Sequence, residues 1–264
     1  MKPEKFPTRR ALVEFNELLA ASAAKAGVPY EPVDSIDSQL RIVQFYDTRS
    51  QDLRKNKLIF RIRQLRQGGW PDESWELTFK CRAPEYDTAA GFDTDTTFVE
   101  VQKKKFKEEL VRGDQPGTMR SIFSNNVIVE SPGINVEFPL EKLAAALPHL
   151  KSLGLDPGES LSIVDGAKVF EIQGTLGTLS FGHGVSAQAT LAVWLRPMLD
   201  AFEPLVAEFG FSTRVQADAG HEKSRKHQEA QALADHFFKA IQLPLRDWLA
   251  SGTTKTALIY GDPA

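Results

Sequence analysis

Cysteine is nearly absent from this chain. Cys81 stands alone among 264 residues, so neither an internal disulfide nor a cysteine-based zinc cluster can form, which fits a reducing compartment. Long apolar runs are missing too. The segment from Met1 to Ala26 is charged and amphipathic, without signal-peptide character, and no stretch approaches the ~20 apolar residues that span a bilayer. These absences predict a soluble, cytoplasmic protein with no membrane partner. Charge of one sign is also lacking: 32 Lys and Arg stand against 35 Asp and Glu, a net of −3. That removes the global positive field of non-specific nucleic-acid binding and leaves only a local basic site. There is no P-loop, G-x-G-x-x-G, H-E-x-x-H or G-x-S-x-G, so nucleotide, zinc and serine-hydrolase chemistries lack their local support. His149, His183, His221, His227 and His236 show no metal-ligand spacing and read as surface residues.

What is present is an ordinary globular balance, 42% hydrophobic and 25% charged, with no repeat or low-complexity tract. Leu12, Phe15, Leu19, Ser22 and Ala26 recur at three and four after Thr8, predicting a helix ended by Gly27 and Pro29. From Gln39 the period becomes two. Gln39 to Tyr46, Leu58 to Arg66, Trp75 to Arg82 and Thr97 to Lys103 read as strands, followed by Asn126 to Glu130 and Ala167 to Gln173. Ala189 to Leu195 reads as strand or helix. Lys103 to Arg112 reads as the start of a helix or a loop, and the run Lys103-Lys104-Lys105-Phe106-Lys107 as a solvated face. Helices are predicted from Pro139, from Pro197 to Phe209, from Glu222 to Ile241 and from Pro244 to Gly252. The expected fold is α+β: one domain, with an N-terminal helical segment over 1–38, an antiparallel barrel-like (tunnel) sheet over 39–195 and a C-terminal helical extension over 196–264.

The strand Trp75 to Arg82 alternates cleanly. Trp75, Leu77, Phe79 and Cys81 share one face, which must be covered by helices, while Glu76, Thr78, Lys80 and Arg82 share the other. Arg61 and Arg63 oppose Leu58, Phe60 and Ile62 in the preceding strand. Such a face is either solvated or folded around a polar cavity. In a cavity, guanidinium and ammonium groups suit phosphate oxygens, and carboxylates suit a divalent metal. Cys81, on the apolar face, reads as a buried structural thiol.

Four segments in order, Phe45-Tyr46-Asp47-Thr48, Leu53-Arg54-Lys55-Asn56-Lys57, Phe60-Arg61-Ile62-Arg63 and Trp75-Glu76-Leu77-Thr78-Phe79-Lys80, resemble the core of the CYTH domain, the triphosphate tunnel metalloenzyme family. In that family inward Arg and Lys side chains hold a triphosphate and inward Glu residues hold divalent cations. The resemblance implies Arg61, Arg63 and Lys80 as phosphate ligands, with Arg82 and, from the segment Lys168 to Gln173, Lys168. Glu100, with Glu76 or Glu171, is the implied ligand set for Mg²⁺ or Mn²⁺. Thr254 to Tyr260 resembles a C-terminal lysine segment of the family.

The chain departs from the pattern as well. The family's N-terminal ExExK strand is missing before Tyr46, Phe98 and Gln102 replace an Arg and a Glu, and Ala187 to Val193 lacks the carboxylates of an acidic metal-binding strand. Asn135 to Leu143 has the look of a strand entering a helix, with one glutamate in register. Metal binding is the first property that lost carboxylates threaten. The implied partner is a triphosphate, nucleotide or polyphosphate small molecule. Two activities fit: metal-dependent hydrolysis of a phosphoanhydride, or binding of a phosphorylated ligand or protein partner without catalysis. A structural barrel with solvated charges is the third alternative.

Overall fold

The computed structural model describes residues 1–132, 138–166, 168–213, 221–250 and 254–261. In chain order these form α1 (Arg9–Lys25), β1 (Tyr30–Pro32), β2 (Ser38–Asp47), α2 (Asp52–Lys55), β3 (Leu58–Gln67), β4 (Trp70–Pro71), β5 (Trp75–Ala83), α3 (Tyr86–Ala90), β6 (Val101–Arg112) and β7 (Met119–Ser131). There follow β8 (Phe138–Pro139), α4 (Leu140–Ala146), β9 (Ser160–Ile163), β10 (Val169–Ser180), β11 (Ser186–Pro197), β12 (Phe202–Gly210), α5 (His221–Ala240) and α6 (Lys255–Ile259). The class is α+β, an antiparallel sheet flanked by N- and C-terminal helices. The main path of the sheet is β12-β11-β10-β2-β3-β5-β7-β6.

One face of this sheet is apolar and covered. Against β10–β12, α1 lays Phe15, Leu19 and Ala23 and α5 lays Ala230, Ala234 and Phe237, meeting Leu176, Leu179, Leu191 and Ala207. Against β3, β5 and β7, Leu53 of α2 and Leu140 and Leu143 of α4 meet Phe60, Ile62, Leu77, Phe79, Cys81 and Val127. Phe79 and Cys81 are each 4% exposed, on the side the alternation of β5 assigns them. Phe60 and Phe79 stack with ring centroids 4.5 Å apart, and truncating either to Ala removes about 3–5 kcal/mol of packing.

The two edges of the sheet, β6 and β12, do not pair with each other, yet the sheet cannot be flat. Eight strands spaced roughly 4.8 Å apart would set its edges more than ~30 Å apart. Arg112 at the end of β6 donates from Nη1 to the Ala250 carbonyl at 2.9 Å. Two residues back, the Trp248 carbonyl accepts the Lys2 N–H at 2.9 Å, and the Met1 carbonyl accepts the Ala207 N–H of β12 at 3.4 Å. A bridge of so few residues requires the sheet to curl, with its uncovered face inside.

Several segments differ from the sequence expectation, among them Thr97 to Lys103, where the expected strand begins only at Val101. The span from Pro197 to Phe209, expected as a helix, contains the edge strand β12, and the sheet therefore continues into the region expected to be a helical extension. Phe202, Leu205, Val206 and Phe209 do recur at helical intervals, but Pro204 would break a helix interior, whereas an edge strand tolerates it, here at an irregularity in the register. Lys103 to Arg112, expected as a helix start or loop, is strand β6. Little of β6 is buried, so no apolar alternation marks it. The helix expected from Pro244 is a turn and a short 3-10 segment, Arg246–Trp248. Asn135, Val136, Glu137, Ala167 and Gly252 lie outside the described residues.

Candidate anion-binding face

Residues directly opposite in an antiparallel pair share a face, so the register fixes what the inner face carries. Arg41 of β2 sits opposite Glu171 of β10 and Leu65 of β3. Arg63 and Arg61 sit opposite Glu76 and Thr78 of β5, and Lys80 and Arg82 opposite Asn126 and Ser124 of β7. Arg61, Arg63, Glu76, Lys80, Arg82 and Glu171 thus occupy one inner surface. The Arg61, Arg63, Lys80 and Arg82 side chains are only 19–21% exposed, so this is no solvated outer face.

Two carboxylates gather most of these cations. Glu171, 2% exposed, receives Arg41 Nη1 at 3.1 Å, Trp194 Nε1 at 2.8 Å and Lys255 Nζ of α6 at 3.5 Å, with Arg63 Nη2 at 4.0 Å. Burial raises its carboxyl, but Arg63, Lys255 and the Trp194 hydrogen bond outweigh that and hold it far below the usual carboxylate range. Glu109 of β6 receives Lys80 Nζ at 2.5 Å, Arg82 Nη2 at 2.8 Å and the Ser124 hydroxyl at 2.8 Å. Burial again opposes ionisation, and Lys80 and Arg82 overcome it. Between the two lies Glu76, with Arg63 Nη1 at 3.3 Å and Arg61 Nη2 at 3.8 Å. In this network Arg41, Arg61, Arg63, Lys80, Arg82 and Lys255 outnumber Glu76, Glu109, Glu171 and Glu208.

Arg61 is the least compensated member. Its Nη2 donates to Thr78 Oγ1 at 3.1 Å and comes no nearer than 3.8 Å to Glu76, and its Nε, like those of Arg63 and Arg82, is buried with no hydrogen-bond partner. Burial, and then the neighbouring Arg63, push its guanidinium down to about 9. It stays charged at neutral pH, but at an electrostatic cost that an added anion would relieve.

Two sequence-predicted residues take no part in this network. Lys168 is exposed and precedes β10, out of phase with Val169, whose neighbour Val43 lies on the inner face. Glu100 is exposed just before β6, where its carbonyl accepts the Glu130 N–H at 2.9 Å. Glu76 and Glu171 are already engaged by arginines, and no group of three or more His, Cys, Asp or Glu side chains among the described residues could hold a metal ion. Among the described residues the carboxylates do not fit a divalent metal centre.

Sequence reasoning passed over Arg41 and Glu109, although Arg41 lies in phase within a predicted strand. Glu109 was hidden in a lysine-rich stretch. Part of the motif set turns out to be structural: Asp47 accepts the N–H groups of Thr48, Leu53 and Arg54 at 2.8–3.0 Å, stapling the β2–β3 connection. Arg54 then lies 4.5 Å over the Tyr260 ring, tying α6 to that connection. Two surface clefts, of about 340 and 480 Å³, are lined by other residues, among them Lys2, Arg112 and Arg246 in the first and Lys25 and His236 in the second.

No protein-family model and no curated protein matches the chain. Among solved structures it is similar to a Hippeastrum protein described as an adenylyl cyclase candidate with a dominant triphosphatase activity. That pair shares 12% identity over 98% of this chain and 93% of the other, at a TM-score of 0.43. An adenylate cyclase candidate from Bacillus halodurans shares 12% identity over 91% and 89% of the two chains, at a TM-score of 0.34. A protein from Pyrococcus horikoshii shares 13% over 88% and 94%, at 0.32. At these identities and scores the likenesses assign no activity to this chain. No helix among the described residues is long and apolar enough to cross a membrane.

Proposed function

We propose that the inner face binds the triphosphate group of a small molecule, with Arg61, Arg63, Lys80 and Arg82 as its ligands. The observation that carries this is Arg61: a guanidinium only 20% exposed, with a buried, unpartnered Nε, set among further cations and no nearer than 3.8 Å to a carboxylate of its network. The ordered CYTH-like segments supply Arg61, Arg63 and Lys80 independently. Guanidinium forks and an ammonium match phosphate oxygens in geometry and charge. The proposal is binding rather than metal-dependent hydrolysis, because Glu76 and Glu171 are held by arginines and Glu100 is exposed ahead of β6, outside their network. Without a cluster of free carboxylates among the described residues, a Mg²⁺ or Mn²⁺ ion has little to offset its dehydration.

Calorimetric titration with tripolyphosphate tests this. Arg61→Ala and Lys80→Ala should each weaken binding by about 10- to 100-fold, the worth of a charge-assisted hydrogen bond. Both variants should fold, since Arg61 is under-compensated and Glu109 keeps Arg82 and Ser124 when Lys80 is gone. Unchanged affinity in both would sink the assignment. Phosphate release with Mg²⁺ or Mn²⁺ from tripolyphosphate, ATP or thiamine triphosphate, lost in Lys80→Ala, would extend binding to catalysis.

A further inference from the structure

The outer edge of β6 is open. β6 ends the main path of the sheet, and no strand among the described residues pairs with it on the side away from β7. It runs for 12 residues with little burial, a long edge of the kind that can accept another strand. The backbone phase of that edge follows from the β6–β7 turn. The Gly113 N–H donates to the Thr118 carbonyl at 3.0 Å, and bonded rows alternate along an antiparallel pair, so over 103–111 the odd-numbered residues bond to β7. Lys104, Phe106 and Glu108 therefore aim their N–H and C=O groups away from the sheet.

The side chains of these three share the outer face. Lys104 pairs with Asp95, Glu108 accepts from the Ser121 hydroxyl, and Phe106 packs on Tyr86 and Phe123. Lys103, Lys105, Lys107 and Glu109 point the other way, and Glu109 reaches Lys80 and Arg82 there. Phe106 is 44% exposed and Tyr86 55%, so an aromatic pair stands in solvent beside the open backbone. Edge strands often carry scattered charge that blocks association. Here the charges are ordered, with lysine over 103–105 and at 107 and glutamate at 108 and 109. That order repels a parallel copy in register and complements an antiparallel one.

We propose that the chain forms a homodimer by antiparallel pairing of β6 with β6 of a second copy, centred on Phe106, so that the two sheets become continuous. Two copies related by a two-fold axis pair in this sense, and residues that face each other share a side of the sheet. Centred on Phe106, Lys104 faces Glu108 of the partner subunit on the outer side, and the two Phe106 rings meet between the two such pairs. On the inner side Lys103 faces the partner's Glu109, and Lys105 opposite the partner's Lys107 is the one like-charge match. A centre at Lys105 or at Lys107 would oppose that lysine to itself and set Phe106 against a charged residue. The outer side therefore selects both the partner and the register.

The test is sedimentation equilibrium of the full chain over a range of concentrations, with circular dichroism to check folding. The unmodified protein should sediment as a dimer at micromolar concentration. Lys104→Glu and Glu108→Lys each turn two attractive pairs into repulsive ones by symmetry, and each should raise the dimer dissociation constant at least about tenfold. The double variant Lys104→Glu, Glu108→Lys restores both pairs and should return the constant to within about threefold of the original. Glu108→Pro removes an N–H that points off the sheet, so the fold keeps its own bonds while the dimer is lost. A monomer at every concentration overturns the proposal and leaves the lysines as a block against association. A dimer that survives Glu108→Pro overturns it too, by placing the contact on another face. So does a dimer broken by both single charge variants and not restored by the double, because the register then fails.

Discussion

Glu171 and Glu109 each draw more than one cation, but they sit in different surroundings. Glu171 is 2% exposed, closed in by Trp194 and by Lys255 of α6. Glu109 is 24% exposed on the edge strand β6 and meets two cations and one hydroxyl. A buried carboxylate among fixed positive groups is hard to replace, because its removal leaves them uncompensated in a poorly solvated place. A carboxylate at an accessible edge can be displaced by another anion. The first organises the closed end of the face; the second occupies the position that a phosphate oxygen would take.

That contrast is open to direct attack. The largest effect belongs to Glu171→Gln, which should destabilise the fold by about 3–5 kcal/mol in denaturant unfolding; a loss under about 1 kcal/mol would make the two carboxylates equivalent. Glu109→Gln should cost only about 1 kcal/mol, as befits a partly exposed pair, while raising tripolyphosphate affinity about tenfold by freeing Lys80 and Arg82. Weaker binding in that variant would mean that Glu109 positions the cations rather than competing for them.

Acid should act through both carboxylates. Each is held below its ordinary value of 4.5 in the folded state, so between the folded and unfolded values the unfolded chain binds more protons. Their stabilisation is present above about pH 4.5 and is lost as pH falls through the depressed folded values. The urea midpoint should therefore drop below that pH, and less steeply in Glu109→Gln; a flat profile in the unmodified protein would contradict the ion pairing. The smallest effects belong to Lys168→Ala and Glu100→Ala, which should change tripolyphosphate affinity less than about twofold because both residues are exposed and outside the ion-pair network. A tenfold loss in either would return it to the site.

The two faces of the sheet were legible to different depths. In β5, Glu76, Thr78, Lys80 and Arg82 alternate with Leu77, Phe79 and Cys81, and burial of the apolar set under α4 follows from that pattern. β6 escaped the same treatment because an edge strand with little burial has no apolar alternation to show. β12 escaped because Phe202, Leu205, Val206 and Phe209 also satisfy a helical period, although Pro204 was a signal against it.

By itself the sequence determined which residues of β3 and β5 share the polar face, since alternation is a property of the local backbone. It also determined that no internal disulfide and no strong overall positive field are available. Only the tertiary structure decided that this face lies inside a curled sheet, that Arg41 and Glu171 meet across 130 residues of chain, and that Glu109 answers Lys80. Strand register and curvature come from pairings between distant segments, and no local period encodes them.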